Sequence, residues 1–337
     1  MITKFFKRIL RRDPMVKHTQ ASQAGAPKRI PKKSHHIDPH LLSKNAVKVT
    51  QTLQQAGFEA FIVGGAVRDL VLGIEPKDFD VATNATPDQV QRLFRKARLI
   101  GRRFQIVHVT FFGKGHPEII EVSTFRALLD NAGDHVAESG RILRDNVWGS
   151  QGEDAARRDF TINAMYYDPS TETVLDYHGG MADMQRKTLR MIGDPATRYR
   201  EDPVRIVRAV RFVAKLSDLG FSLDAKTTAP LKRMLKLLTE VPQSRLLDEM
   251  LKLLQTGHAL SSVAQLKLLG LQKGIYPLLD IVVARSEEAF VKTALQDTDR
   301  RVAEGKPVAP SFLLACVLWS DVRESWNAKR LKQPPFP

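Results

Sequence analysis

Residues 61–84, FIVGGAVRDLVLGIEPKDFDVATN, constrain this chain more than any other stretch: an apolar strand, a glycine pair, a short helix and an Asp-Phe-Asp strand follow in immediate succession. Phe61, Ile62 and Val63 run into Gly64-Gly65, where a turn without side chains leaves backbone N–H groups free to face an anion at a helix start. Arg68 sits one turn in, within reach of the same anion. Asp78 and Asp80 are two residues apart, so in a strand both carboxylates leave one face while Phe79 points into the core. Such a pair suits Mg²⁺, which takes one or two protein carboxylates and completes its shell with water and substrate phosphates. A solvated edge-strand pair is the alternative reading of Asp-x-Asp by itself; the Gly-Gly-x-x-Arg-Asp string just upstream favours the phosphate and metal site.

Taken together, Gly64-Gly65-Ala66-Val67-Arg68-Asp69, Leu72-Gly73 and Asp78-Phe79-Asp80 resemble the signature of the class II polymerase-β-type nucleotidyltransferases. That family comprises bacterial poly(A) polymerases and CCA-adding tRNA nucleotidyltransferases. The resemblance implies an α+β architecture: an N-terminal nucleotidyltransferase head, with a mixed sheet and helices, followed by an all-α neck and body. It further implies Mg²⁺, with Mn²⁺ as an alternative, held by the catalytic pair Asp78 and Asp80.

The 337 residues exceed one ordinary core, so more than one domain is expected, and 43% apolar content can bury them. No apolar run reaches the roughly 18 residues of a membrane-spanning helix, and KFFKRILRR lacks a signal-peptide core; the expectation is a soluble, cytoplasmic protein without a membrane partner. The single cysteine, Cys316, lies within FLLACVLW and reads as a buried thiol in a reduced compartment. The net charge is +15, and residues 1–36 carry ten Lys/Arg against one acid, so +9 of it sits in the first tenth of the chain. A polyanionic partner and salt-sensitive binding follow, although basic tails are also often merely solvated.

In chain order, residues 1–36 read as a basic disordered tail, and at its end His35, His36, Asp38 and His40 read as a solvated cluster rather than a metal site. Residues 37–190 read as the catalytic head. Within it, 41–57 has the spacing of a helix ended by Gly57, Thr86-Pro87 opens a helix reaching about Arg98, and strands follow near 104–112 and 118–125. Residues 126–150 read as a mobile loop beside the sheet. By the resemblance, Glu121, just before Thr-Phe-Arg, is a candidate third metal ligand; an exposed strand acid is the alternative.

The stretch 153–167 reads as a helix or a turn and helix; if helical, Asp159, Asn163 and Tyr166 share a face. Arg157 and Arg158 can neutralise triphosphate charge, while Asp159 and Asn163 offer a hydrogen-bonding edge to a ribose. Arg-Arg-Asp-Phe-Thr-Ile-Asn-Ala is similar to the second motif of the family, which implies a nucleotide-contacting, catalytically required Asp159.

Residues 191–258 read as a helical neck and 259–337 as a helical, RNA-facing body, with amphipathic segments at 227–238, 244–256 and 259–270. In Glu201-Asp202-Pro203-Val204-Arg205, an aspartate before a proline is a natural N-cap. The string also resembles the family's Glu-Asp-x-x-Arg motif, implying that Asp202 and Arg205 read the incoming base and Arg208 supports its phosphates. The nucleotide-binding set is thus Gly64, Gly65, Arg68, Arg158, Asn163, Asp202, Arg205 and Arg208. No zinc-spaced Cys/His set or P-loop is present.

RIPKKSHHIDPHLLSKNAVKV, LIGRRFQIVHVTFF, LRDNVWGSQGEDAARRDF and Tyr166-Tyr167 are similar to the bacterial poly(A) polymerase I branch. The expected activity is template-independent addition of AMP from ATP to RNA 3′ ends in RNA turnover, with RNA-turnover proteins as partners. CCA addition to tRNA is the alternative, and a non-catalytic RNA-binding relative a lesser one. Relatives of that branch usually continue into a basic helical C-terminal region, whereas this sequence stops at QPPFP, so a shortened body is expected.

Overall fold

The computed structural model describes residues 25–101, 105–113, 117–128, 147–271, 273–274 and 276–332. The loop expected at 126–150 lies largely outside them, as do most of the tail and the final QPPFP. Eight strands form one sheet: β1 (Lys28–Pro31), β2 (Ala60–Val63), β3 (Asp80–Thr83), β4 (Ala97–Ile100), β5 (Ile106–Phe111), β6 (Glu118–Thr124), β7 (Met165–Asp168) and β8 (Thr173–Asp176). Their order is β1-β8-β7-β2-β3-β6-β5-β4. Neighbours are antiparallel except β3 and β6, which run parallel and therefore need a crossover between them.

That crossover sets the site. Val63 pairs with both Asp80 and Tyr166, Asp80 pairs with Glu121, and Glu121 pairs with His108. Residues paired across strands share a face, so Tyr166, Val63, Asp80, Glu121 and His108 form one row across five strands.

Helix α1 (Lys44–Gln55) is capped by Ser43, whose hydroxyl accepts from the Asn45 and Ala46 N–H groups, and buries Ala46, Val49 and Leu53 against the sheet. Helix α2 (Gly65–Val71) follows β2 directly. Helix α3 (Pro87–Leu93) opens on a Thr86/Gln89 capping box but stops at Leu93, not near Arg98, because Phe94 turns extended and 97–100 becomes edge strand β4. Helix α4 (Gln151–Arg157), with a Ser150/Glu153 capping box, is also shorter than the sequence periodicity implies. Residues 161–163 form a single 3₁₀ turn and Met165 begins β7. Asp159, Asn163 and Tyr166 therefore do not share a helix face.

Helices dominate from residue 195 onward: α5 (Pro195–Glu201), α6 (Val204–Leu216), α7 (Gln243–Leu254), α8 (Ala259–Leu268), α9 (Pro277–Arg285), α10 (Ala289–Ala303) and α11 (Pro310–Lys332). The segment expected as one helix at 227–238 breaks at Pro230, which cannot donate into a helical ladder. On α6, Ile206, Val207, Val210 and Val213 are buried, and one continuous apolar cluster runs from Val49 and Ile62 through Val210 to Leu266 and Leu295. The α+β reading, a mixed sheet followed by helices, holds.

The disorder expected through residue 36 does not hold over residues 28–36. Lys28–Pro31 pairs with β8, Ile30 is buried, and the buried His35 ring accepts from the Ile37 N–H at Nδ1 and donates from Nε2 to the Glu172 carbonyl. Cys316 is buried and free. Among the described residues no helix is long and apolar enough to cross a membrane.

Candidate active site

A cleft of about 760 Å³ opens where the β2–β3–β6 row meets α6 and α7, and every candidate site residue named from the sequence lines it. These residues come from four separate stretches, and the fold brings them to one place. Gly64 (φ +78°) stands at the turn between β2 and α2, where a Cβ would lie 3.5 Å from Arg158 Nη1 and 3.8 Å from Asp80 Oδ2. Those are ordinary contacts; what keeps the wall bare is the positive φ, which an L side chain adopts only with strain.

Strand β3 begins only at Asp80, so Asp78 lies in the lead-in rather than in the strand; both still line the cleft. Burial first, then the neighbouring charges of Glu121 and Asp78, push the Asp80 carboxyl up to about 6, against the pull of Arg158. Glu121 is half exposed and pairs with His108 at 3.4 Å. Among the described residues no three His, Cys, Asp or Glu side chains converge as a ready metal cage. What is present is a half-buried carboxylate crowded by two like charges, a donor set short of positive charge. That set fits a divalent cation which takes few protein ligands and completes its shell from phosphate and water.

Arg158 flanks the carboxylates. Its Nη2 donates to Asp154 Oδ2 at 3.1 Å, its Nε donates to the Tyr166 hydroxyl at 3.3 Å, and its guanidinium packs over the Tyr166 ring. Burial pushes the Tyr166 hydroxyl up, so it stays protonated and donates to Asp154 Oδ2 at 2.6 Å.

A polar chain then crosses from the sheet to the helices. Lys215 reaches Asp69 at 3.5 Å, Asp69 accepts from Arg68, and Arg68 Nη1 donates to Asn163 Oδ1 at 2.7 Å. Asn163 Nδ2 in turn donates to Asp159 Oδ1 at 3.4 Å. Asp159 Oδ2 accepts from Arg208 Nε and Nη2 at 2.9 and 2.5 Å. Burial raises the Asp159 carboxyl, but the charge and hydrogen bonds of Arg208 overcome it and hold it at about 2. Glu249 on α7 closes the chain, 3.6 Å from Arg208 and 3.3 Å from Arg211. Arg68 and Arg208, expected on phosphates, are thus already engaged with Asp69, Asn163 and Asp159 while lining the cleft.

Asp202 is not the N-cap of α6. It closes α5, its N–H bonding to the Arg198 carbonyl, and Pro203 stands at the head of α6 without a side-chain cap. The carboxylate is drawn away by Arg245, whose Nη2 donates to Oδ2 at 2.6 Å, while Oδ1 is buried without a hydrogen-bond partner among the described residues. Arg205 donates to the Arg198 carbonyl, Glu201 and the Arg157 carbonyl at 2.9, 3.0 and 3.2 Å. The residues missed from sequence are Arg245 and Glu249 on α7, with Asp154 and Tyr166 behind Arg158. One signal was available: Arg245 and Glu249 are four apart on a helix with an apolar stripe, so both ride one turn-to-turn face.

Comparison with known proteins gives two family matches: the poly A polymerase head domain over residues 60–190, and the probable RNA and SrmB-binding site of polymerase A over residues 220–282. Poly(A) polymerase I of Salmonella typhi is 44% identical over 335 residues, 96% of this chain and 70% of that relative. The CCA-adding enzyme of Bacillus pumilus is 40% identical over 212 residues, 63% of this chain and 50% of its own length. Among solved structures, the Bacillus stearothermophilus CCA-adding enzyme in complex with CTP superposes with a TM-score of 0.55 at 25% identity, covering 84% of this chain and 83% of that one.

Proposed function

This chain belongs to the bacterial poly(A) polymerase family of nucleotidyltransferases, and from that premise we propose that it adds AMP from ATP to RNA 3′ ends without a template. The observation that carries the proposal is the meeting, in one cleft, of the crowded carboxylates Asp78 and Asp80 with Arg158 and the Asp159–Arg208 pair. In the proposed reaction the RNA 3′-oxygen bonds to the α-phosphorus of ATP as the bond to the bridging α–β oxygen breaks, and pyrophosphate leaves.

Divalent-metal use goes with the family; Asp78 and Asp80 would hold the ion, with Glu121 the candidate third ligand. Mg²⁺ is proposed, Mn²⁺ being the alternative; bound there, it would neutralise phosphate charge and lower the pKa of the attacking hydroxyl. The residues of the chain do the rest. Gly64 and Gly65 let phosphate approach the backbone, and Arg158, locked by Asp154 and Tyr166, presents fixed positive charge beside Asp80. Asp159, kept ionised by Arg208, accepts from a ribose hydroxyl with Asn163 beside it. Asp202 Oδ1, buried and unpartnered, accepts from an exocyclic amino group, which adenine and cytosine carry and guanine and uracil do not at the matching position. Arg205 stands beside it in the same wall.

The test is extension of a labelled oligo(A) and of a tRNA lacking its 3′ end, with Mg²⁺ and each NTP supplied singly. Long ATP-only tails on both are expected. CTP incorporation on the tRNA that halts after a short addition would move the protein to the CCA-adding branch, the more distant relatives by sequence. RNA binding with no extension of either would overturn the catalytic reading.

A further inference from the structure

The last helix of the body carries a feature that the cleft does not use. Phe312, Trp319 and Trp326 recur at seven-residue spacing on α11, so they fall on one side of the helix with a drift of only about 20° per step. At about 1.5 Å per residue they span about 21 Å. All three are open to solvent, 43, 50 and 68% exposed. Leu313 and Val317 point to a different side and are buried against the body, and Cys316, one turn beyond Phe312, is buried at the edge of the aromatic side.

Charge is arranged to match. Arg323 and Arg330 each follow a tryptophan by four residues, one helical turn, and so lie on the aromatic side. Asp321 points elsewhere and is held by Arg285, and Glu324 also falls off the aromatic side by the same angular reckoning. Among the described residues neither Arg323 nor Arg330 makes an ion pair. At the Phe312 end the stripe runs into a recess of about 510 Å³ walled by Asp297, Arg301, Pro307, Val308 and Ala309, where Asp297 is held by Arg300. Large aromatics this exposed are costly on a surface that meets only water. Rings repeating along a line, with one guanidinium between the two tryptophans, a second just beyond them and the acids of the helix itself on other sides, offer a single-stranded nucleic acid π-faces for bases and cations for phosphates.

We propose that the Phe312–Trp319–Trp326 face of α11, with Arg323 and Arg330, is a binding track for single-stranded RNA, apart from the nucleotide cleft. It rests on the RNA-extending activity proposed above. The track takes the upstream part of a long substrate by stacking and charge without base-specific hydrogen bonding, and it leaves chemistry at the 3′ end untouched.

The test uses the full chain, a fluorescein-labelled oligo(A) of about twenty nucleotides, and triadenylate as a primer too short to reach both sites. Trp319→Ala and Trp326→Ala should each weaken oligo(A) binding about tenfold, and quenching of tryptophan fluorescence by oligo(A) should shrink in both. Trp→Phe at either position should restore binding, since a ring face returns. Arg323→Gln with Arg330→Gln should lower the slope of log affinity against log salt by about one to two. Triadenylate extension at saturating ATP should keep the parental rate in all of them. Unchanged oligo(A) affinity in both alanine variants would overturn the proposal. So would unchanged RNA affinity together with loss of a dimer in sedimentation, which would make the face a contact between copies. If the parent extends no RNA yet loses affinity on Trp replacement, the catalytic reading fails and the track stands.

Discussion

Arg208 grips Asp159 through one carboxylate oxygen, Oδ2, with Nε at 2.9 Å and Nη2 at 2.5 Å, joining residues 49 positions apart and tying α6 to the loop after α4. The pair is buried on its acidic side, so its charges are balanced by each other more than by water.

Removing that arginine should show in the acid limb of stability. Asp159 is held at about 2 in the folded state against 3.8 ordinarily, a depressed carboxylate pKa. Its contribution, about 2 kcal/mol by linkage, is therefore present above the unfolded pKa and fades as pH falls from about 5 towards 2. In Arg208→Ala the buried carboxylate loses its partner, and stability near neutral pH should drop by about 3–5 kcal/mol. Urea denaturation from pH 3 to 7 checks this: the parent weakens steeply below about pH 5 through this pair, whereas the variant should lack that part of the slope.

Asp80→Asn keeps the shape of the site and removes one charge from the crowded row. AMP transfer should fall by roughly a hundred- to thousandfold, while oligo(A) affinity, measured by fluorescence anisotropy, should stay within about twofold because phosphate contacts elsewhere dominate binding. Retained turnover would remove Asp80 from the reaction.

Gly64→Ala places a methyl where φ is +78° and where Arg158 and Asp80 lie within 4 Å. Strain of about 1–3 kcal/mol is expected, together with a raised KM for ATP, because phosphate would lose its approach to the backbone. Thermal melts and initial rates against ATP separate the two effects; a normal KM in a folded variant would argue against the bare wall as a phosphate seat.

Asp202→Asn exchanges an acceptor for a group that can also donate, so GTP and UTP should gain relative to ATP by about tenfold in kcat/KM. Arg245→Ala frees the same carboxylate from its 2.6 Å partner and should relax base choice in the same direction. Competition among the four NTPs in single-nucleotide addition reads both, and an unchanged preference in both would take base selection away from this corner.

Tyr166→Phe deletes the hydroxyl that meets both Asp154 and Arg158. Among the described residues Asp154 Oδ2 then keeps only Arg158 as donor, at a cost of about 0.5–1.5 kcal/mol, and Arg158 loses a restraint. Lower stability by urea titration should accompany a fall in kcat.

The sequence by itself determined the candidate site residues and the order of the elements around them. Gly64-Gly65, the Asp78/Asp80 spacing and the Glu201-Asp202-Pro203-Val204-Arg205 string are local patterns, and a period of two or of 3.6 is written directly into residue positions. Ends of elements were less legible. Helix α3 was expected five residues too long and Asp159–Tyr166 on one helix, because local periodicity does not reveal where an edge strand or a core strand will claim the chain.

Tertiary structure alone decided which charges meet. The parallel β3–β6 pairing sets Asp80 beside Glu121, and the return of α7 places Arg245 on Asp202 and Glu249 on Arg208. In the unfolded chain each of these groups is satisfied by water. Once buried, each must find an opposite charge or a hydrogen-bond partner within a few ångströms, and which partner is near enough depends on how separate elements pack, which no spacing along the chain records.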